Sequence, residues 1–377
     1  MIHPLIIITG ILLLAYALLI LYYHRVWDQI PPSALHPTEI SSVTVSVIIP
    51  ARNEAGRIGK CLDALSKQSY SATLTEIIVV NDFSTDETIA RVTEHVLKPI
   101  ILDLSDYVSE TLNSYKKKAI ETGIRYSSGE LIICTDADCF MGPDWIRILV
   151  TAHQNKNLQF IAAPVKIISN GSALAVFQIL DFISLQGITG AAVSKNLYPM
   201  SNGANLAYTR KAYNAVGGFS GIDHIASGDD MLLMKKIQAD FPGQSGYLKD
   251  PLAIVCTGPS ENIGTFLNQR IRWASKIAHY KHPATFFTLA LVYLVNAFLL
   301  ILFLACFFYG HWRWLLIFLA FKTISEYFFV SAVATFFQQQ SLMKYFPLCQ
   351  PFHILYTVVA GSFGSFGKYK WKNRTVK

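Results

Sequence analysis

Asp136 and Asp138 are the residues best placed by type and spacing to do chemistry. They follow the apolar run Leu131-Ile132-Ile133-Cys134, and two carboxylates one residue apart can jointly approach a hard divalent cation that carries phosphate oxygens. A nucleoside diphosphate is the natural third partner of that cation, and a solvated turn is the alternative. Two earlier apolar runs also end in polar residues: Val43 to Pro50 leads into Ala51-Arg52-Asn53-Glu54, and Glu76 to Asn81 into Asp82-Phe83-Ser84-Thr85-Asp86. Any one of these groups alone reads as a turn or a helix cap.

Two later groups carry charge at useful spacing. Gly228-Asp229-Asp230 precedes Met231-Leu232-Leu233-Met234 and is expected to open a helix, with Asp229 or Asp230 as its cap. In Gln269-Arg270-Ile271-Arg272-Trp273, Gln269 and Arg272 stand at i,i+3 and share a helix face. Arg272 can hold diphosphate oxygens in a bidentate fork and Trp273 offers a flat face to a ligand ring. The rival reading is an Arg-Trp pair at a membrane interface, since a long apolar run starts soon afterwards.

Positioning these groups requires strands that end at a common edge. Val43 to Pro50 is a β-branched run, followed by Arg57 to Gln68 with Ile58, Cys61, Leu62 and Leu65 at helical spacing. Strand, turn and helix recur from Glu76, where Ser84 and Glu87 have the spacing of a capping box, and again at Leu131 to Thr135. Alternation of this kind implies a parallel sheet covered by helices, and ligands bind such sheets at the carboxyl ends of the strands. The fold class is therefore α/β and Rossmann-like.

The chain as a whole is too apolar for an ordinary soluble enzyme: 52% of its 377 residues are hydrophobic and 15% charged. Leu5 to Tyr23 spans a bilayer as an uncleaved anchor, with no basic residue before it and no small-x-small cleavage site after it. Residues 284–309 and 312–337 form a helical hairpin around Gly310 and His311, in which Lys322 and Glu326 are spaced to pair. The last segment, 346–367, is interrupted by Pro351, His353, Gly361, Gly364 and Gly367 and precedes a basic tail at 368–377. A full crossing there would separate the tail from Arg25, Arg272, Lys276 and Lys281, so the number of crossings stays open. Residues 174–193 are apolar but broken by Gln178, Asp181, Ser184 and Gln186, as expected of an interfacial helix or a buried core helix. The net charge of +7 is scattered or lies beside apolar runs, which suits anionic lipid and excludes a nucleic-acid footprint. Six cysteines without a CxxC pair support neither a zinc site nor a disulfide scaffold.

The segments VSVIIPARNE, VVNDFSTDET, KKKAIETGI, IICTDAD, NGANLAYTR, GDD and QRIRW occur in the order seen in the family 2 inverting glycosyltransferases, which the chain resembles from Val43 to Trp273. It is similar in particular to the membrane-embedded branch that includes ceramide glucosyltransferase and the hyaluronan, chitin and cellulose synthases. The resemblance implies a GT-A fold with transmembrane helices at both ends, divided into an anchor (1–25), a cytoplasmic catalytic domain (43–273), a membrane region (284–367) and a basic tail. It implies that Glu54 and Asp82 contact the nucleoside, Asp82 accepting from a uracil-type imide, and that Pro50, Arg52, Lys116, Asp136, Gln269, Arg272 and Trp273 complete the nucleotide-sugar site. It further implies Asp136 and Asp138 as ligands of Mg²⁺ or Mn²⁺, Asp230 as general base beside Asp229, and Asn202, Gly203 and Trp273 beside the acceptor. At Asn81 and Phe83 the chain departs from the acids and glycine that many relatives carry.

The expected activity is transfer of a sugar from a nucleotide-sugar, with UDP as the expected nucleotide, to a hydroxyl of a lipid or glycan acceptor. The expected setting is a multi-pass protein of the inner membrane, in contact with membrane lipids and not with nucleic acid. A processive polysaccharide synthase, a non-catalytic nucleotide-sugar-binding membrane protein and a transporter are the alternatives. With two clear C-terminal crossings for a channel, lipid glycosylation is favoured over processive synthesis.

Overall fold

A computed structural model of the chain describes residues 2–31, 42–108, 112–225, 227–275, 283–364, 369–371 and 374–376. The basic residues Lys276, Lys281, Lys368, Lys372 and Lys377, and Gly367 of the last apolar segment, lie outside them. In chain order the elements are α1 (Ile2–Gln29), β1 (Val45–Ala51), α2 (Ile58–Ser66), β2 (Thr75–Asn81), α3 (Thr88–Glu94), β3 (Ile100–Asp103), α4 (Tyr115–Arg125), β4 (Leu131–Cys134), β5 (Phe140–Met141), α5 (Trp145–Lys156), β6 (Phe160–Ala162) and β7 (Val165–Ile167). They continue as α6 (Ala173–Ser194), β8 (Leu206–Thr209), α7 (Arg210–Ala215), α8 (Met231–Asp240), β9 (Ser245–Tyr247), β10 (Val255–Thr257), α9 (Ile263–Ser275), α10 (Pro283–Tyr309), α11 (Trp312–Phe336), α12 (Phe346–Gly364), β11 (Tyr369–Trp371) and β12 (Arg374–Val376). The chain divides into two compact units, one of residues 1–30, 169–191 and 259–369, the other of 31–168, 192–258 and 370–377.

The second of these is α/β. Its main sheet, among the described residues, has the order β3-β2-β1-β4-β8-β6-β9. β1 pairs parallel with β2 and β4, as the alternation predicts, and its β-branched residues are buried on both faces, as parallel strands require. β8 is antiparallel to both β4 and β6, so the sheet is mixed where alternation alone predicted parallel pairing. A smaller sheet, β5-β10-β7, stands beside it. α4 approaches β1 closely because Gly123 has no side chain: a Cβ there would lie 2.7 Å from Ile48 Cγ2.

One local expectation is corrected. Ser84 and Glu87 do not form a capping box, because α3 begins only at Thr88. Ser84 Oγ instead accepts from the Asn53 amide and Asp86 Oδ1 accepts from the Thr88 amide, so the turns after β1 and β2 hold each other in place of an earlier helical turn.

The other unit is helical. α1, α6, α10 and α11 are long and apolar enough to cross a membrane. In α6, 72% of the apolar stretch is buried against 28% in each of the others, so α6 is largely enclosed, as expected of a core helix. Gly310, at φ 72°, turns α10 into α11. The charges in α11 are met internally: Lys322 Nζ lies 2.6 Å from Glu326 Oε1 and 2.7 Å from Gln350 Oε1, while Tyr16 OH and Gln350 Nε2 also donate to Glu326. This is the self-satisfied pair that its spacing suggested. Gly361 and Gly364, which seemed to interrupt the last segment, are packing contacts within one helix. A Cβ on Gly361 would lie 2.6 Å from Tyr293 of α10, and one on Gly364 2.6 Å from Ala274 of α9.

Candidate active site

The turns that follow β1 and β2 interlock. Asp82 N–H donates to Ala51 O, and Arg52 Nη1 donates to Asp82 O at 2.8 Å and Phe83 O at 2.9 Å. Asn53 accepts from the Thr85 amide, and the Glu54 amide donates to Thr88 Oγ1 at 2.8 Å. Glu54 and Asp82 are both buried here, beside Pro50 at the end of β1. Asn81 and Phe83 support the turn: Asn81 Nδ2 donates to Asp103 Oδ2, and Phe83, at φ 53°, packs edge-on against Tyr115. Thus the side chains predicted to hold a nucleoside share one backbone framework.

At the end of β4 the carboxylates meet a lysine. Lys116 Nζ lies 2.7 Å from Asp136 Oδ1 and 3.4 Å from Asp229 Oδ2. Burial opposes the charge on Lys116, but the two carboxylates hold its pKa well above the ordinary lysine value. Gly203 closes this cluster, since a Cβ there would come within 2.9 Å of Lys116 Nζ and 3.1 Å of Asp229 Oδ2. Asn202 makes the turn itself, its Oδ1 accepting from the Ala204 amide. Asp230 caps α8 as its position suggested, with Oδ1 accepting from the Met231 amide at 2.7 Å. Lys116, Asp136, Gly203 and Asp229, spread over more than 110 residues, are thereby brought together.

Asp138 follows two residues later, with Oδ2 accepting from Thr257 Oγ1 at 3.4 Å and Oδ1 accepting from Cys139 Sγ. Cys61 sits behind the pair, its thiol pushed up to about 12 by burial and by the charges of Asp138 and Asp136. Among the described residues no three His, Cys, Asp or Glu side chains form a complete metal cage. Two carboxylates at a strand end fit a cation whose remaining ligands are phosphate oxygens and water, which is how Mg²⁺ and Mn²⁺ sites of nucleotide enzymes are built.

The QRIRW segment lies in the helical unit, on α9, so the block expected at 43–273 is divided between the two units. Phe266 and Arg270 are its buried residues. Arg270 Nη2 lies 2.5 Å from Asp181 Oδ2, its guanidinium stands 4.3 Å over the Trp273 ring, and Tyr356 OH donates to Asp181. Trp273 also packs against Phe182. Arg272 and Gln269 are half-buried. The sequence expectation rests on Arg272, not Arg270; the helical spacing of Arg270 with Phe266 and Trp273, at i, i+4 and i+7, is the signal that puts Arg270 on an aromatic face.

Residues 46–217 match the sequence profile described as Glycosyl transferase family 2. That segment, just under half of the chain, is similar to a family 2 glycosyl transferase domain. It is similar to Glycosyltransferase AglE of Haloferax volcanii, at 29% identity over 60% of this chain and 71% of that protein. It is also similar to an N-acetylglucosaminyltransferase of Mesorhizobium japonicum, at 25% identity over 67% of this chain and 60% of that one. Among solved structures, the mannosyltransferase PcManGT from Pyrobaculum calidifontis, in complex with GDP-Man and Mn²⁺, superposes with a TM-score of 0.58 at 19% identity, over 94% of this chain and 99% of that one. This glycosyltransferase domain therefore has the GT-A fold, and the chain is a glycosyltransferase by class.

Proposed function

We propose that this glycosyltransferase moves one sugar from a UDP-sugar to a hydroxyl of a lipid acceptor at the membrane, by a single in-line displacement with inversion. The observation that carries the reading is Lys116, whose ammonium joins Asp136, at the end of β4, to Asp229, in the acidic motif that opens α8. In this reading the nucleoside lies against Glu54 and Asp82, with Pro50 and Arg52 shaping its edge. Lys116 faces the diphosphate. Asp230 takes the proton of the acceptor hydroxyl, a contribution of typically ~10²–10⁴-fold for a positioned base, and Asp229 stays ion-paired to Lys116. Asn202 and Gly203 border the acceptor.

A divalent cation bound by Asp136 and Asp138, when present, supplies charge neutralisation for the departing diphosphate. That PcManGT is in complex with Mn²⁺ supports this assignment on the same fold. We place the catalytic unit in the cytoplasm and the helices in the inner membrane, because Arg25 and Arg272 border apolar helices on the side the positive-inside tendency assigns to the cytoplasm.

A single transfer is favoured over processive synthesis because, of the described helices long and apolar enough to cross a membrane, α6 is largely buried, leaving α1, α10 and α11, few for a polymer channel. The experiment is product analysis with purified protein, a panel of UDP-sugars together with GDP-mannose, and extracted lipid. A glycolipid carrying one added sugar is expected; a ladder of growing glycans would replace the reading with a synthase, and GDP-mannose alone supporting transfer would replace the donor.

A further inference from the structure

Three lysines in succession open α4, and each meets different surroundings. Lys116 reaches the carboxylates, and Lys118 Nζ lies 2.7 Å from Glu121 on the same helix. Lys117, turned about 100° from each along a helix of 3.6 residues per turn, points into the protein and is 1% exposed. Its ammonium donates to three backbone carbonyls: Ile222 O at 2.7 Å, Ile225 O at 2.6 Å and Ser227 O at 2.8 Å.

Residues 216–225, which supply two of these carbonyls, form turns and no helix or strand. Gly217, Gly218, Gly221 and Gly228 all take positive φ, from 51° to 84°. Side chains from outside hold these turns: Ser114 Oγ donates to Asp223 O, Asn113 Nδ2 to His224 O, and Lys236 Nζ to Gly218 O and Ser220 O. Ser227, which supplies the third carbonyl, is followed by Gly228, Asp229 and Asp230. Burying a cation is costly unless polar groups replace its water, and three converging carbonyl dipoles do so as they would for a free monovalent ion.

We propose that Lys117 is a tethered monovalent cation: its ammonium fills a carbonyl cage made by Ile222, Ile225 and Ser227, and by filling it fixes the chain that presents Asp229 and Asp230. Lys117 is a positioning residue and touches neither donor nor acceptor. An enzyme lacking this ammonium will need one from solution, so the cage is a binding site for ammonium or potassium that the native chain keeps occupied with its own side chain. The inference rests on the reading of Asp230 as the base and of Asp229 as the partner of Lys116.

The test is the full chain with Lys117→Ala, in detergent or nanodiscs, with ammonium, potassium or tetramethylammonium chloride at equal ionic strength. Thermal unfolding is read first, because it does not depend on activity. The midpoint of Lys117→Ala rises in ammonium and potassium relative to tetramethylammonium, and the native chain shows no such difference. Turnover is read second: kcat of Lys117→Ala is about 100-fold lower, the loss that a small displacement of reacting groups produces, and ammonium restores at least tenfold of it while donor KM changes little. Lys117→Arg does not restore it, since a planar guanidinium cannot aim three donors as an ammonium does.

A Lys117→Ala protein as active as the native chain overturns the proposal. So does a loss that ammonium and potassium leave untouched in both readings. If Lys117→Ala accumulates only as aggregate, expression and purification in ammonium must recover folded protein, and failure to do so also overturns it. Should the native chain turn over no nucleotide-sugar, the thermal reading still decides the cage while the activity reading falls with the proposed function.

Discussion

Lys116 Nζ lies 2.7 Å from Asp136 Oδ1, so the first turn of α4 and the end of β4 are joined at the point where the charges of a nucleotide-sugar and its metal are expected. Without the ammonium, Asp136 and Asp229 would face one another uncompensated. Lys116→Met is expected to lower kcat/KM for the donor by about 10²–10³-fold, the loss that follows removal of one preorganised donor from a transition-state site. Steady-state kinetics with varied UDP-sugar checks it, and an unchanged donor KM together with an unchanged kcat would remove Lys116 from the site.

The same lysine makes a statement about pH. Burial opposes its charge, but Asp136 and Asp229 raise its pKa above the ordinary value. A raised folded value means that the stability it contributes is fully present below the unfolded lysine value, about 10.4, and is lost only as the pH rises through the folded value. Lys116 therefore contributes no limb to the pH profile of stability between about pH 6 and pH 9, and thermal unfolding of the native chain and Lys116→Met should differ by a constant amount across that range.

Asp230 both caps α8 and is the proposed base, and the two roles can be separated. Asn caps a helix as well as Asp but cannot take a proton at neutral pH. Asp230→Asn should keep the thermal midpoint and lose about 10²–10⁴-fold in kcat, whereas Asp230→Ala should lose the same activity and about 1 kcal/mol of stability besides. Asp230→Asn with native kcat would leave Asp230 a cap only.

Gly203 needs no side chain for its backbone, yet a Cβ there would press on Lys116 Nζ and Asp229 Oδ2. Both are ends of side chains that can move, so Gly203→Ala should fold normally and show a weakened donor KM and reduced kcat. Equal activity would show that Lys116 and Asp229 work in another arrangement.

Much of this was legible in the sequence. β1, β2, β4 and α2 follow from periodicity and β-branching, and the ends of α1, α10 and α11 fall within a few residues of their apolar runs, because burial and span length act locally. The antiparallel entry of β8 was not legible, since alternation does not encode strand direction. Nor could the run Lys116-Lys117-Lys118 be resolved: one residue separates a lysine among carboxylates from one inside a carbonyl cage, and what lies around each comes from loops about 20 and 110 residues away. Ser84 and Glu87 carried a helix signal that the partner turn at Asn53 overrode.

Asp181 and Arg270 were hidden for the same reason, being partners on helices far apart in the chain. Both side chains are almost wholly buried. Asp181→Ala leaves a buried guanidinium without its carboxylate and should cost about 3–5 kcal/mol, while Asp181→Ala combined with Arg270→Leu should cost less than the single change. Denaturant or thermal unfolding of the three proteins in one detergent checks the order; a single variant as stable as the native chain would contradict it.

Asp138 and Asp230 are assigned to one metal-dependent transfer. Nucleoside diphosphate release from a panel of UDP-sugars, by the purified chain in native lipid with Mn²⁺, with Mg²⁺ and with chelator, alongside Asp138→Asn and Asp230→Asn, tests it most directly. Turnover that needs the cation and is lost in both variants while both remain folded is the predicted result. Turnover that survives in either folded variant, or its absence with every UDP-sugar for the native chain, would contradict it.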